Sequence, residues 1–267
     1  MRIQQKLTSG LVVWQNITDA VRPVFFQTDY EDFLYATHGG TLFVVRFRGR
    51  VYALTCNHVF KDFPTGRLFI VNGKHAQKGS IPARIEGIRY ASNPIGAAID
   101  ADIGDVCVVE FSDENPGDFF GDTPYIIDEK TVATSNVGND LSIAGVLKEK
   151  SSIEDNTITA GYCYLQLKDG GPHGHDPVLR RAWALFREPE FSTVTGLSGS
   201  PVFDETAKAL CGMVVRGGMT GASCEIVYVD IFDILRLLEG VSTRADASYY
   251  AKTIAIPAPR SKSNPPG

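Results

Sequence analysis

The sequence predicts an all-β fold: antiparallel sheets closing into barrels or sandwiches, with one short helix near the C-terminal end. Three observations predict it. Short runs rich in Val, Ile, Phe and Tyr recur along the 267 residues. Gly, Asp, Asn and Pro separate these runs, and a single stretch carries the spacing of an amphipathic helix.

Residues 1–35 read as an N-terminal segment that opens on the polar stretch "MRIQQKLTSG". The first strong strand signals are "TLFVVRF" (41–47) and "VYALT" (51–55), which predict a hairpin with its turn near Arg48 to Arg50. "RLFIV" (67–71) and "DVCVVEF" (105–111) follow. The acidic, turn-rich "SDENPGDFFGDTP" (112–124) suits a connection between two halves. Beyond it the strand-like runs are "LSIAGVL", "GYCYLQL", "AWALF", "SPVF", "GMVV" and "EIVYV". In "DIFDILRLLEG" (230–240), Ile231, Ile234, Leu235 and Leu238 keep the i, i+3, i+4, i+7 spacing of a helix face, with Asp230 placed to cap it and Gly240 to end it. From Ile256 the tail is proline-rich and polar, which predicts disorder.

Bulk composition narrows the function. A net charge of −5 argues against nucleic acid as the main partner, because phosphate binding needs a clustered basic surface. No run approaches the ~18 consecutive apolar residues of a bilayer span, so no membrane partner is expected. The polar start carries no signal-peptide pattern, and the cysteine count of five is odd, with no Cys-x-x-Cys pair. Reduced thiols and a cytoplasmic location are the expectation.

Three stretches carry chemistry. "YALTCNHVF" (52–60) is a strand-like run ending in His58, a candidate proton carrier, metal ligand or strand-end histidine. A Cys56-x-His58 metal site lacks a second ligand pair at recognisable spacing, so no metal is expected. "DIGDVCVVEF" (102–111) puts an aspartate at the mouth of an apolar strand, where its charge needs a partner such as a histidine N–H. Asp100, Asp102 and Asp105 crowd this region, and Asp105 is the choice because it stands immediately before the unbroken apolar run. "TGLSGSPVFD" (195–204) holds Ser198 between small residues, with strand-like runs on both sides, unlike the strand–turn–helix setting of a nucleophile elbow. The amides of Gly196 and Ser198 can then point at one spot, as an oxyanion requires.

In chain order His58, Asp105 and Ser198 follow the chymotrypsin-type triad. "LTCNHVF" resembles the Thr-x-x-His motif of trypsin-like peptidases, "DVCVVEF" their aspartate strand with Cys107 at an alanine position, and "GLSGSPVF" their serine motif in a form found among bacterial members. The resemblance implies two perpendicular six-stranded antiparallel barrels, residues 36–112 and 125–245, joined by a linker over 113–124 and followed by a disordered tail over 246–267. It implies a serine endopeptidase needing no cofactor, acting on protein or peptide substrates. His58 would be the base, Asp105 its orienting acid, Ser198 the nucleophile, and Gly196 and Ser198 the oxyanion donors. Alternatives within the fold are a peptide-binding module with little turnover and an esterase. Val59 stands where many relatives place a disulfide cysteine, and Leu197 where zymogen-type relatives carry the aspartate that receives a new amine. The resemblance therefore implies a chain that is active, or competent to be activated, without propeptide cleavage, and a regulatory partner protein or a ligand is expected to restrain or trigger it.

Outside these motifs, "PHGHD" (172–176) reads as a flexible surface loop before it reads as a metal fragment, and Arg180, Arg181 and Arg187 as a solvated basic cluster. The substrate pocket is expected between "FSTVT" (191–195) and the strand after "GMVV", where Arg216 offers an anion partner.

Overall fold

The computed structural model describes residues 17–30, 35–37, 39–60, 67–70, 83–91, 105–113, 115, 119–154, 157–174, 176–186, 191–239 and 249–253. Its strands are β1 (Val21–Pro23), β2 (Phe25–Gln27), β3 (Tyr35–Ala36), β4 (Thr41–Phe47), β5 (Arg50–Cys56), β6 (Leu68–Phe69), β7 (Ile85–Ala91), β8 (Val106–Phe111) and β9 (Tyr125–Ile127) in the first half. The second half holds β10 (Asp140–Val146), β11 (Ser152–Glu154), β12 (Thr157–Thr159), β13 (Tyr162–His173), β14 (Asp176–Leu185), β15 (Pro201–Asp204), β16 (Ala209–Thr220) and β17 (Ser223–Asp230). Helix α1 (Ile231–Leu238) and β18 (Tyr249–Thr253) follow.

The β4–β5 hairpin shows how local chemistry sets the register. Phe47 pairs with Arg50, and the two residues between, Arg48 and Gly49, sit at φ 49° and 82°. Positive φ at both central positions is the turn whose twist matches that of the flanking strands. Val44, Val45, Ala53 and Leu54 are all buried, so both faces of the hairpin are covered at this level.

The second half closes as a barrel in the order β10-β13-β14-β17-β16-β15, every pair antiparallel. Its interior is filled by residues such as Leu141, Ile143, Leu167, Val202, Ile226 and Tyr228. Helix α1 packs Ile231, Ile234, Leu237 and Leu238 inward. Asp230 caps it, its carboxylate accepting the Phe232 N–H at 3.0 Å; Gly240 lies outside the described residues.

The first half is built from two sheets. Among the described residues it is a seven-stranded sheet, β1-β4-β5-β8-β7-β18 with β9 against β4, beside a three-stranded sheet of β2, β3 and β6. β9 runs parallel to β4, so residues 125–127 belong to the first half's sheet rather than to the second barrel. β1 and β2 precede residue 36, and Val21 and Phe26 are buried in a core cluster that runs across both halves. β18 pairs with β7 from Tyr249↔Ala91 to Thr253↔Gly87, within the stretch expected to be disordered. An edge strand offers unpaired N–H and C=O groups, and this segment before the prolines supplies partners for them; residues 254–267 lie outside the described ones.

Two further stretches singled out in the sequence lie on β13 and β14, and the expectation for Arg180 is corrected. The "PHGHD" stretch is the tip of a long hairpin, with His173 paired to Asp176; His175 lies outside the described residues. Arg180 is not solvated. Its Nη2 donates to Asp169 Oδ2 at 2.8 Å and to the Ser135 carbonyl at 2.8 Å, and its Nε donates to the Tyr228 hydroxyl at 2.9 Å. Tyr228 in turn donates to Asp169 Oδ2 at 3.0 Å, and Asp169 is buried. A buried carboxylate is tolerable only when paired and hydrogen-bonded in this way. Arg181 is exposed, and Arg187 lies outside the described residues.

Candidate active site

His58 owes its place to the end of β5. The strand stays extended through Cys56 (φ −106°, ψ 143°) and then turns as a single 3-10 turn over Asn57–Val59. Val59 is buried and packs so tightly on Gly40 that a Cβ there would stand 2.3 Å from Val59 Cγ1. The turn is thereby anchored on one side and presents His58 on the other.

Asp105 stands directly before β8, whose Val106 pairs with Cys56 of β5, so its carboxylate meets the His58 turn. Oδ1 accepts the His58 backbone N–H at 2.8 Å, and Oδ2 accepts from His58 Nδ1. Two donors from one residue fix the carboxylate's plane and the imidazole's tautomer, leaving Nε2 without the proton. Asp105 is 17% exposed and His58 44%, so the carboxylate is sheltered while the ring reaches solvent. Asp100 and Asp102 lie outside the described residues.

Cys56 sits behind this pair. It is wholly buried, and its thiol donates to the Val214 carbonyl at 3.3 Å. Burial, and after it the Asp105 charge, push the thiol well above the ordinary cysteine range, so it carries its proton. Its sulfur, one His58 ring nitrogen and a carboxylate oxygen of Asp105 lie within 4.8 Å of one another, the one such donor group among the described residues.

Ser198 comes from the second half, on the turn leading into β15. Gly196 and Gly199 hold φ of 107° and 91°, a region that L side chains avoid. Space excludes a side chain as well: a Cβ on Gly196 would lie 2.3 Å from the Val146 carbonyl oxygen, and one on Gly199 1.9 Å from that of Thr41. Thr41, on β4 of the other half, ties the turn down. Its N–H donates to the Ser198 carbonyl at 2.8 Å and its hydroxyl to the Gly196 carbonyl at 2.8 Å. The same hydroxyl accepts from Val146 N–H at 3.0 Å and Ser200 Oγ at 3.2 Å. No local pattern marks this role for Thr41 beyond its position after two glycines.

Among the described residues, neither the Gly196 nor the Ser198 N–H has an intramolecular acceptor, which leaves both for a ligand oxygen. The Ser198 hydroxyl donates to the Val215 carbonyl at 3.3 Å. That is long for an O–H···O bond, hence readily given up. His58, Asp105, Gly196 and Ser198 all line one cavity of about 280 Å³, whose remaining wall includes Val194 and Ile226. The sequence-derived residues therefore meet at one cavity, with His58 and Asp105 from the first half and Gly196 and Ser198 from the second.

Comparison with known proteins agrees with this architecture. No curated protein sequence matches the chain. Solved structures of human heparin binding protein are similar in fold. One aligns with a TM-score of 0.51 at 12% identity, over 89% of this chain and 94% of that one. An atomic-resolution structure of it gives 0.51 at 13%, and a point mutant of it 0.50 at 12%, with the same coverage. At such identities the likeness is one of fold alone. The sequence profile of the trypsin-like peptidase domain matches residues 40–213, a span that takes in His58, Asp105 and Ser198, and the chain belongs to that family.

Proposed function

We propose that the protein is a serine endopeptidase that hydrolyses protein or peptide substrates through an acyl-enzyme on Ser198. The observation that carries this is the double hydrogen bond from His58 to Asp105, facing the cavity that also holds Ser198. With Nδ1–H committed to the carboxylate, Nε2 is the basic nitrogen, and it takes the Ser198 proton as Oγ attacks the substrate carbonyl. The imidazolium so formed is stabilised by the sheltered Asp105 charge. The carbonyl oxygen, now carrying the negative charge, receives the Gly196 and Ser198 N–H groups, each such donor being worth roughly 3–4 kcal/mol in the transition state. Protonation of the leaving amine by His58 completes acylation. Water, deprotonated by the same nitrogen, then releases the acid and restores the Ser198 hydroxyl.

A fluorophosphonate probe tests the assignment. Peptide mapping by mass spectrometry should find the label on Ser198 in the parent chain and none in Ser198→Ala. That variant should retain the parental melting temperature within a degree or two, since it loses one small hydroxyl. Undiminished peptide cleavage by Ser198→Ala would overturn the assignment of the nucleophile. A folded parent chain that binds peptides but neither labels nor cleaves would make it a binding module of the same fold.

A further inference from the structure

We propose that Cys56, His58 and Asp105 form an inhibitory binding site for a thiophilic divalent cation of the zinc type. The sequence offers only Cys56 and His58, two residues apart. The fold adds Asp105 from a distant strand and gathers a thiol sulfur, an imidazole nitrogen and a carboxylate oxygen within 4.8 Å of one another. A mixed S, N and O donor set suits tetrahedral zinc rather than magnesium or calcium, which prefer oxygen alone. At a zinc centre neighbouring donors stand about 3.3–3.8 Å apart, given bond lengths of about 2.0–2.3 Å. The ion therefore needs the His58–Asp105 contact to open and the sulfur to draw in, with the fourth position left to water. Entry is from the active-site cavity, which His58 and Asp105 line and which the exposed His58 ring partly screens.

The charge balance favours the exchange. Before binding, the site holds one carboxylate, a thiol that donates its proton to the Val214 carbonyl and an imidazole whose Nδ1 proton is given to Asp105. The cation takes the thiolate, and the thiol proton leaves to water. It also takes the Nδ1 lone pair, and the imidazole proton reappears on Nε2. A local charge of −1 becomes zero, so the sheltered Asp105 is neutralised where water solvates it poorly. The consequence for reactivity follows from the tautomer. With Nε2 protonated and Nδ1 bound to the metal, His58 has no lone pair for the Ser198 proton. The metal site is independent of the peptidase reading; only its inhibitory effect rests on that reading.

The test uses the full 267-residue chain, with zinc and cobalt(II) as probes. Equilibrium dialysis should find one zinc per chain, and cobalt should give a thiolate-to-metal charge-transfer band. Cys56→Ser should abolish the band and weaken zinc binding by at least about 100-fold. Cys163→Ser and His173→Ala should leave both unchanged. Asp105→Asn, close to isosteric, should also weaken binding by at least about 10-fold, which covers the case in which Cys56→Ser does not fold. Saturating zinc should slow fluorophosphonate labelling of Ser198 at least tenfold, and a chelator should restore it. Failure to bind zinc, or a cobalt band that survives in Cys56→Ser, overturns the site. A chain that labels but takes up no metal ends this proposal and leaves the peptidase standing. One that holds metal at Cys56 but never labels does the reverse.

Discussion

Thr41 shows how much of the site depends on a residue without chemistry of its own. Its one hydroxyl serves the Gly196 carbonyl, the Val146 N–H and Ser200 Oγ, and Thr41 is wholly buried. Thr41→Val keeps the shape and removes the hydroxyl, which strands a buried carbonyl and a buried N–H, each costing about 1–3 kcal/mol. A loss of about 2–4 kcal/mol in urea unfolding is expected. With Gly196 no longer held, the oxyanion donors lose their fixed aim, so fluorophosphonate labelling of Ser198 should slow by more than the change in folded fraction accounts for. A variant that is less stable but labels at the parental rate would show that Thr41 supports the barrel and not the turn. The three side chains that meet at the cavity were legible in the sequence: His58, Asp105 and Ser198 each sit in a short recognisable context. Thr41 was not, because its importance comes from partners about 100 to 160 residues away in the chain, which no local pattern encodes.

Among the elements, β16 and β17 form the wall that decides what the cavity admits. Gly217 on β16 pairs with Ile226 on β17, and a Cβ on Gly217 would meet Ile226 Cδ1 at 2.5 Å and Val194 Cγ2 at 3.2 Å. Ile226 is wholly buried yet lines the cavity beside Val194 and Val214, so the inner wall is apolar and the isoleucine limits its depth. The charged group on that side is Arg216, exposed and with Nη2 3.0 Å from His173 Nε2. An aliphatic residue before the cleaved bond fits this wall, and a lysine would be desolvated there without a counter-charge, with Arg216 also lining the cavity. Ile226→Gly should raise kcat/KM for peptides with phenylalanine at that position at least about tenfold relative to alanine, the scale on which side-chain volume is discriminated in apolar pockets. A set of peptide p-nitroanilides ending in Ala, Leu, Phe, Lys and Glu measures this, and an unchanged ranking would move the specificity wall elsewhere. Strand identities were legible from their apolar runs, "TLFVVRF" matching β4 residue for residue. Strand lengths were less so: β13 and β16 run to 12 residues each, past the point where glycines and a proline interrupt the apolar pattern. The bulges at Asp169/Gly171 and Val214/Arg216 absorb those interruptions.

At the scale of the whole molecule, the two halves are coupled at the site itself. Thr41 of β4 bonds to the Gly196–Ser198 turn, and the Cys56 thiol to Val214 of β16, so the nucleophile's turn cannot shift without disturbing the strand pair that carries His58. The closed second barrel was legible as a family resemblance. The places of β1, β2 and β9 in the first half were not, because these short strands carry too few residues to show a period, and β9 pairs in parallel. The same coupling bears on how the turn is held in its working form. Leu197 is 1% exposed and packs in the second barrel's core. Its N–H donates to the Val194 carbonyl at 3.1 Å, and its own carbonyl accepts the Ser200 N–H at 2.9 Å. An ammonium group brought to this residue would be buried without a counter-charge, at a cost of several kcal/mol. The turn is instead held by Thr41, the Val194 carbonyl and the apolar seat of Leu197. A full-length chain whose N-terminus is blocked by a fused domain should therefore label at Ser198 at the same rate as the unfused chain. Leu197→Asp should lower the melting temperature and the labelling rate together, by placing an unpaired carboxylate in the core. If labelling requires trimming to one specific new terminus, and a fused domain abolishes it, the turn depends on a terminal amine and Leu197 is not its anchor.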